Sequence, residues 1–94
     1  SFNKGTLDKI VSAFVLHEVP DLIKVFQDLH DMLKEDGIWL ILDWEKVESE
    51  MGPPLDHRIS SSDLDRQLQS SGFHTIIGHL HPSVYYIVVR KNIR

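Results

Sequence analysis

Short continuous apolar runs alternate along this chain with segments in which apolar residues recur at helical spacing. The first run, Leu7 to Val15, predicts a strand buried on both faces. A helix is predicted from an N-cap at Asp21 to about Glu35, because apolar residues there recur on one face. Gly37 is expected to end this helix in a left-handed conformation, and Ile38 to Leu42 predicts a second strand, parallel to the first.

The second half of the chain predicts one more helix and a hairpin. Asp43 to Ile59 combines Gly, Pro and charged residues and predicts a loop or a short broken helix. Ser60 is the expected N-cap of a helix that ends at Gly72. Phe73 to Leu80 and Val84 to Arg90 predict two strands whose short connection requires antiparallel pairing. The pattern therefore predicts a single α/β domain over the whole chain, with two parallel strands, a terminal antiparallel hairpin and two main helices.

Composition narrows the range of partners. The chain has 94 residues, a net charge of -4 and no cluster of Lys and Arg, so binding to a nucleic-acid backbone is not predicted. No apolar run has membrane-spanning length, and no membrane partner is predicted. The absence of cysteine suits a reducing compartment, and the predicted location is the cytoplasm.

The most informative chemistry lies where the first predicted strand ends. Its apolar run opens into the polar pair His17-Glu18. In open α/β sheets, ligands bind just beyond the carboxyl ends of the strands, and an imidazole titrates near neutral pH, so His17 is a candidate general base. The alternative is a solvated loop between strand and helix. No Gly-x-Gly occurs anywhere in the chain, so a nucleotide-cradling loop is not predicted from these residues.

A metal site is not predicted. The pair His17-Glu18 has the first two residues of an HExxH motif, but Asp21 stands in place of its second histidine. His79 and His81 share one face of a predicted strand, yet no carboxylate or cysteine completes a ligand set beside them.

The order of elements and three local patterns resemble the carboxyl-terminal half of class I S-adenosylmethionine-dependent methyltransferases. Phe2 to His17 (FNKGTLDKIVSAFVLH) is similar to the family's fourth-strand motif, with Asp8 at its acidic position. Leu33 to Leu42 (LKEDGIWLIL) is similar to its LKPGG-and-strand motif, with Glu35-Asp36 where Pro-Gly is commoner. Tyr86 to Lys91 (YIVVRK) is similar to its last strand. Together these motifs cover nearly the whole chain.

This resemblance implies a partial Rossmann-like methyltransferase sheet and S-adenosylmethionine as the cofactor of the complete enzyme. Ala13, Phe14, Leu16 and His17 are the implied cofactor contacts, the first two beside the methionine portion. His17 would stand over the transferable methyl group as pocket wall, orienting group or base. Glu18 would face a small-molecule methyl acceptor.

Further substrate contacts are implied beyond the next strand. The indole of Trp44 could attract a sulfonium or line an apolar substrate, and the alternative is a core aromatic that caps the sheet. The Gly52 to Arg58 segment lies where the family places substrate-covering elements, which makes Pro53, Pro54 and His57 candidates for specificity. Chain rigidity alone would also explain the prolines.

The resemblance also implies that several of the family's cofactor-binding features are absent from these 94 residues. The family's glycine-rich loop, its ribose-binding acid and its adenine contact would all precede Ser1. We therefore expect the chain alone neither to bind S-adenosylmethionine nor to transfer methyl groups. The leading interpretation is a fragment of a small-molecule methyltransferase.

Two other functions stay open. The first is a non-catalytic assembly module that uses an exposed sheet edge, and a homodimer through the Leu7 to Val15 strand is predicted on that ground. The second is the rear half of a nicotinamide-dependent Rossmann enzyme, which the antiparallel hairpin disfavours because such sheets are parallel throughout.

Overall fold

The computed structural model describes residues 5–16 and 19–91, which form a four-stranded sheet and two α-helices. In chain order the elements are β1 (Leu7–Ala13), α1 (Leu22–Met32), β2 (Leu33–Trp44), α2 (Ser61–Ser70), β3 (His74–His81) and β4 (Val84–Arg90), with a short 3-10 helix (Leu55–His57) before α2. The sheet order is β1-β2-β4-β3. Among these described strands, β1 and β2 pair in parallel, and the other two pairs are antiparallel. This confirms the predicted fold class of two parallel strands, a terminal antiparallel hairpin and two main helices.

Both helices begin where local chemistry predicts. The Asp21 side chain accepts a hydrogen bond from the Lys24 N–H at 3.1 Å, and the Ser60 hydroxyl accepts one from the Asp63 N–H at 3.2 Å. Each cap satisfies an N–H group that has no partner within its own helix. In the part of the chain that the structure describes, no helix has the length and apolar character needed to cross a membrane.

The predicted end of the first helix is wrong. The helix α1 stops at Met32 and not near Glu35, and Leu33 already pairs with Leu7 as the first residue of β2. The side chain of Leu33 is fully buried, so long-range packing outweighs its fit to the helical pattern. Gly37 has no left-handed conformation and lies within the strand. A Cβ there would lie 2.5 Å from the Leu33 side chain, which explains a glycine at this position.

The core lies between the helices and one face of the sheet. Trp39 is its central residue and makes edge contacts with Phe26 of α1 and with Phe73, at ring-centroid distances of 5.7 and 5.6 Å. Its indole N–H donates to the hydroxyl of Ser12 at 3.0 Å, which ties β1 to the core. Further buried apolar side chains come from α2 and from the middle strands, namely Leu64, Leu68, Ile41, Tyr85, Ile87 and Val89.

The opposite face of the sheet is apolar and open. Side chains alternate along each strand, so Val11 of β1, Leu40 of β2 and Val88 of β4 point away from the helices. No element within residues 5–16 and 19–91 covers them, and Val11 is 67% exposed. Both helices pack on the same side, so within the described chain β1 is covered on one face only.

Candidate functional site

Phe14 ends β1 in a left-handed backbone conformation, with φ of 58°. Such a conformation is rare for a bulky residue, and it explains why β1 stops at Ala13 instead of reaching Val15 as predicted. The Phe14 N–H still donates to the Leu42 carbonyl at 2.8 Å. Its ring lies against Trp44 at the end of β2, with centroids 5.3 Å apart. The carboxyl ends of the two parallel strands therefore meet in an aromatic pair, in which Phe14 is still 39% exposed.

Trp44 also lines a groove of about 570 Å³, which we call the Trp44 groove. One wall is the segment 47–51 and the other is the turn between β3 and β4. Its apolar lining residues are Trp44, Val47, Met51, Pro82 and Val84. The groove opens at the carboxyl end of β2, which is the side of an open α/β sheet where ligands bind. Trp44 is half-buried, so it is accessible from the groove and is not a fully buried core aromatic.

Arg58 shapes one wall of this groove, and the sequence analysis did not single it out. The side chain is only 5% exposed. Its guanidinium donates to the main-chain carbonyls of four loop residues, Pro53 at 2.8 Å, Val47 at 2.8 Å, Met51 at 2.9 Å and Glu45 at 3.3 Å. It also lies 5.4 Å from the centroid of the Trp44 ring. Because one planar guanidinium binds four carbonyls, it fixes the backbone conformation of the segment from 45 to 53.

Glu45 joins three elements just beyond β2. Its carboxylate accepts hydrogen bonds from the Ser61 N–H at 2.8 Å and the Ser61 hydroxyl at 2.6 Å, and lies 2.7 Å from Nε2 of His79. Burial alone would raise the pKa of Glu45, but the hydrogen bonds from Ser61, His79 and the Lys46 N–H outweigh it, so the pKa lies below its ordinary value. The carboxylate stands between the serine and the histidine. His79 therefore cannot activate Ser61 as the base of a catalytic triad would.

The other residues predicted from sequence are placed as follows. The side chain of Leu16 is buried in the core, so a cofactor could meet only its main chain. His17 and Glu18 lie outside the described residues. Pro53 is half-buried and offers its carbonyl to Arg58, and His57 is exposed on the 3-10 helix. Neither Pro53 nor His57 lines the Trp44 groove.

The described residues fit one part of the implied cofactor. Ala13 and Phe14 are exposed at the carboxyl end of β1 and present an apolar surface, which suits the methylene carbons of the methionine portion of S-adenosylmethionine. No glycine-rich loop occurs in the sequence. Among residues 5–16 and 19–91, no group of three or more potential ligands is placed to hold a metal ion.

Comparisons with known proteins find similar structures but no similar family model or curated sequence. No protein-family model matches the sequence, and no curated protein matches it. A SAM-dependent methyltransferase from Aquifex aeolicus superposes with a TM-score of 0.88 at 24% identity, over 94% of this chain and 47% of that one. A Sulfolobus solfataricus protein assigned to the type 11 methyltransferases gives 0.84 at 25% identity, over 100% of this chain and 55% of that one. The [4+2]-cyclase SpnF superposes with a TM-score of 0.79 at 14% identity, over 99% of this chain and 53% of that one.

These likenesses establish the fold. The chain has the fold of the carboxyl-terminal half of S-adenosylmethionine-dependent methyltransferases, as the sequence motifs implied, and spans about half the length of these structures. One of them is named as a cyclase, so the fold alone does not fix the reaction.

Proposed function

We propose that this chain forms the acceptor-side half of an S-adenosylmethionine-dependent small-molecule methyltransferase, and that residues outside these 94 complete it. The observation that carries the proposal is the strand order β1-β2-β4-β3 with its close superposition on methyltransferases. Two features of the described residues support it, the open apolar face of the sheet and the position of β1 at the sheet edge, since about half of each matched structure has no counterpart here.

The proposed roles follow the carboxyl ends of the strands. When bound, S-adenosylmethionine supplies an electrophilic methyl group. Ala13 and Phe14 would pack against its methionine portion, and the main chain of Leu16 would lie beside them. His17 would orient the acceptor or take its proton, and Glu18 would contact the acceptor.

The acceptor side is completed by residues after β2. Trp44 would form the apolar wall beside the acceptor. The segment from 45 to 53, whose carbonyls Arg58 binds, would keep that wall in place. Pro53 and His57 do not line the groove, and their proposed role is to cover the substrate. The proposed small-molecule acceptor and the cysteine-free sequence suit the cytoplasm, which stays our proposed location.

The first test is a calorimetric titration of the 94-residue chain with S-adenosylmethionine. We expect no saturable binding at micromolar cofactor, because the loss of several charge-assisted hydrogen bonds, at roughly 1.5 to 3 kcal/mol each, lowers affinity by orders of magnitude. Saturable binding in this range would contradict the division of the cofactor site between this chain and residues outside it.

The second test uses a longer protein that contains this segment. There, His17→Ala is expected to reduce methyl transfer strongly with little change in the free energy of unfolding. Ile41→Ala is the matched control, because Ile41 is fully buried and its truncation is expected to cost about 2 to 5 kcal/mol of stability. If His17→Ala loses stability and activity together, the catalytic role of His17 is wrong.

The exposed edge favours a second function, assembly of two chains through β1. This strand lies at one end of the described sheet, and Val11 is 67% exposed. An apolar edge strand recruits another strand, and a two-fold pairing of β1 with its copy would extend the sheet. We therefore propose a homodimer for the isolated chain.

Light scattering at micromolar concentration tests this assembly. Val11→Lys is expected to give monomers without disturbing the core, because the Val11 side chain points away from it. Ile76→Lys on β3 is the matched control, since Ile76 is 64% exposed at the other edge of the sheet and should leave the dimer intact. A wild-type monomer, or equal effects of the two substitutions, would rule out pairing through β1.

A further inference from the structure

We propose that the Trp44 groove binds a small organic cation, an ammonium group carried on an apolar body, and that the methyl acceptor belongs to this class. The assignment of the ligand as acceptor rests on the proposed function. The binding itself is a property of the groove in this chain.

The groove has the size and walls of a small-molecule site. Its volume of about 570 Å³ lies within the range of ligand pockets, roughly 300 to 1,000 Å³. Val47 and Met51 line it and are among the large apolar side chains that stay exposed in the described chain. Because Arg58 fixes the main chain of the segment that carries them, this wall exists before any ligand arrives.

The carboxylates that line the groove give it a negative charge. Glu48 and Glu50 line it and are exposed, and no Lys or Arg is among the described lining residues. His81 is the other titratable lining residue, and its Nδ1 lies 2.8 Å from the Ser83 hydroxyl. A cationic ligand therefore meets carboxylates at the rim, whereas an anionic ligand would be repelled.

Neighbouring cations do not cancel this preference. Arg58 is buried, and its N–H groups are directed to main-chain carbonyls, so it acts as a support for the wall. Lys46 is exposed and does not line the groove. Since Arg58 already lies over the Trp44 ring, the ammonium group of the ligand would bind Glu48 and Glu50, and its apolar body would pack on the indole.

The test is a titration of the ¹⁵N-labelled 94-residue chain, followed by NMR, with three phenylalkyl probes that differ in charge. These are 2-phenylethylamine as the cation, 2-phenylethanol as the neutral analogue and 3-phenylpropionate as the anion. The Trp44 indole N–H signal should shift with saturation by the amine. The Trp39 indole serves as an internal control, because it is buried and bonded to Ser12 and should not shift. We expect affinity in the order cation, neutral, anion.

Charge variants separate attraction by the carboxylates from general apolar binding. The double variant Glu48→Gln with Glu50→Gln is expected to weaken amine binding roughly threefold to tenfold, as two exposed ion pairs would, and to leave the alcohol unchanged. Asp31→Asn is the matched control, since Asp31 is exposed on α1 and does not line the groove. Added salt should weaken amine binding and leave alcohol binding unchanged.

Three results would overturn the inference: no binding of the amine up to millimolar concentration, equal affinity for amine and alcohol, or a double variant that binds the amine like the wild type. None of these measurements contains S-adenosylmethionine. The tests of cofactor binding and methyl transfer can therefore fail while the groove still selects cations. Equally, cation binding can fail while the tests of the proposed function succeed.

Discussion

Replacement of Arg58 by methionine tests whether one buried cation holds the loop beside the candidate site. Methionine keeps much of the side-chain volume but removes every N–H donor. Three of the four carbonyl contacts are between 2.8 and 2.9 Å and the fourth is longer, at 3.3 Å. Each good hydrogen bond contributes about 1 kcal/mol net, and water can reach part of this exposed segment in the variant. We therefore expect a loss of about 2 to 3 kcal/mol, or a fall in Tm of roughly 10 to 20 °C.

Urea denaturation of the isolated chain, followed by circular dichroism, measures this loss. Arg66→Met is the matched control, because Arg66 is exposed and pairs with Asp63 at 3.1 Å, so its loss should stay within about 0.5 kcal/mol. Arg58→Lys keeps the charge but not the planar fork and should recover less than half of the loss. A free energy of unfolding for Arg58→Met within about 0.5 kcal/mol of the wild-type value would refute this role of Arg58.

Two further predictions concern the same region. The pKa of Glu45 lies below its ordinary value of 4.5, so its ionised form stabilises the fold above that pH, and this contribution is lost as the pH falls through the lower, folded value. Glu45→Gln should therefore flatten the acid limb of a plot of urea midpoint against pH, and an unchanged limb would argue against the prediction. Gly52→Ala should cost about 2 kcal/mol or more, because φ is 97° and a Cβ would lie 2.9 Å from the Trp44 ring. Gly5→Ala, with φ of 63° and open space around the new Cβ, should cost only about 1 kcal/mol in the same assay, and equal losses would exclude the steric contribution.

Local signals predicted much of this fold. The N-caps Asp21 and Ser60 depend on contacts within three residues, and both are confirmed. The strand Val84–Arg90 is confirmed with its predicted bounds, because a short turn and a run of β-branched and aromatic residues define it locally. The predicted helix end near Glu35 was wrong because Leu33 pairs with Leu7, a distant residue whose position helical periodicity does not reveal.

The candidate site was only partly predictable for the same reason. The position of Trp44 at the end of an apolar strand could be recognised from its neighbours in sequence. Arg58 could not be recognised in this way, because the four carbonyls around it belong to a loop whose path is set by the fold. In sequence, Arg58 resembles the exposed Arg66. The contact between Glu45 and His79 joins residues that are 34 positions apart in sequence, and the fold of the sheet brings them together.

The position of β4 in the sheet has a consequence for biosynthesis. This strand is last in sequence but lies between β2 and β3, so the inner edge of β2 has no partner until residue 90 has been made. The β3–β4 hairpin depends on contacts close in sequence, which form faster than distant ones. We expect pulse-labelled hydrogen exchange during refolding to detect protection in β4 before β1, and simultaneous protection would contradict this order. Translation thus delivers β1 and β2 before the hairpin that is expected to fold first, which makes β2 the segment most exposed to mispairing on the ribosome.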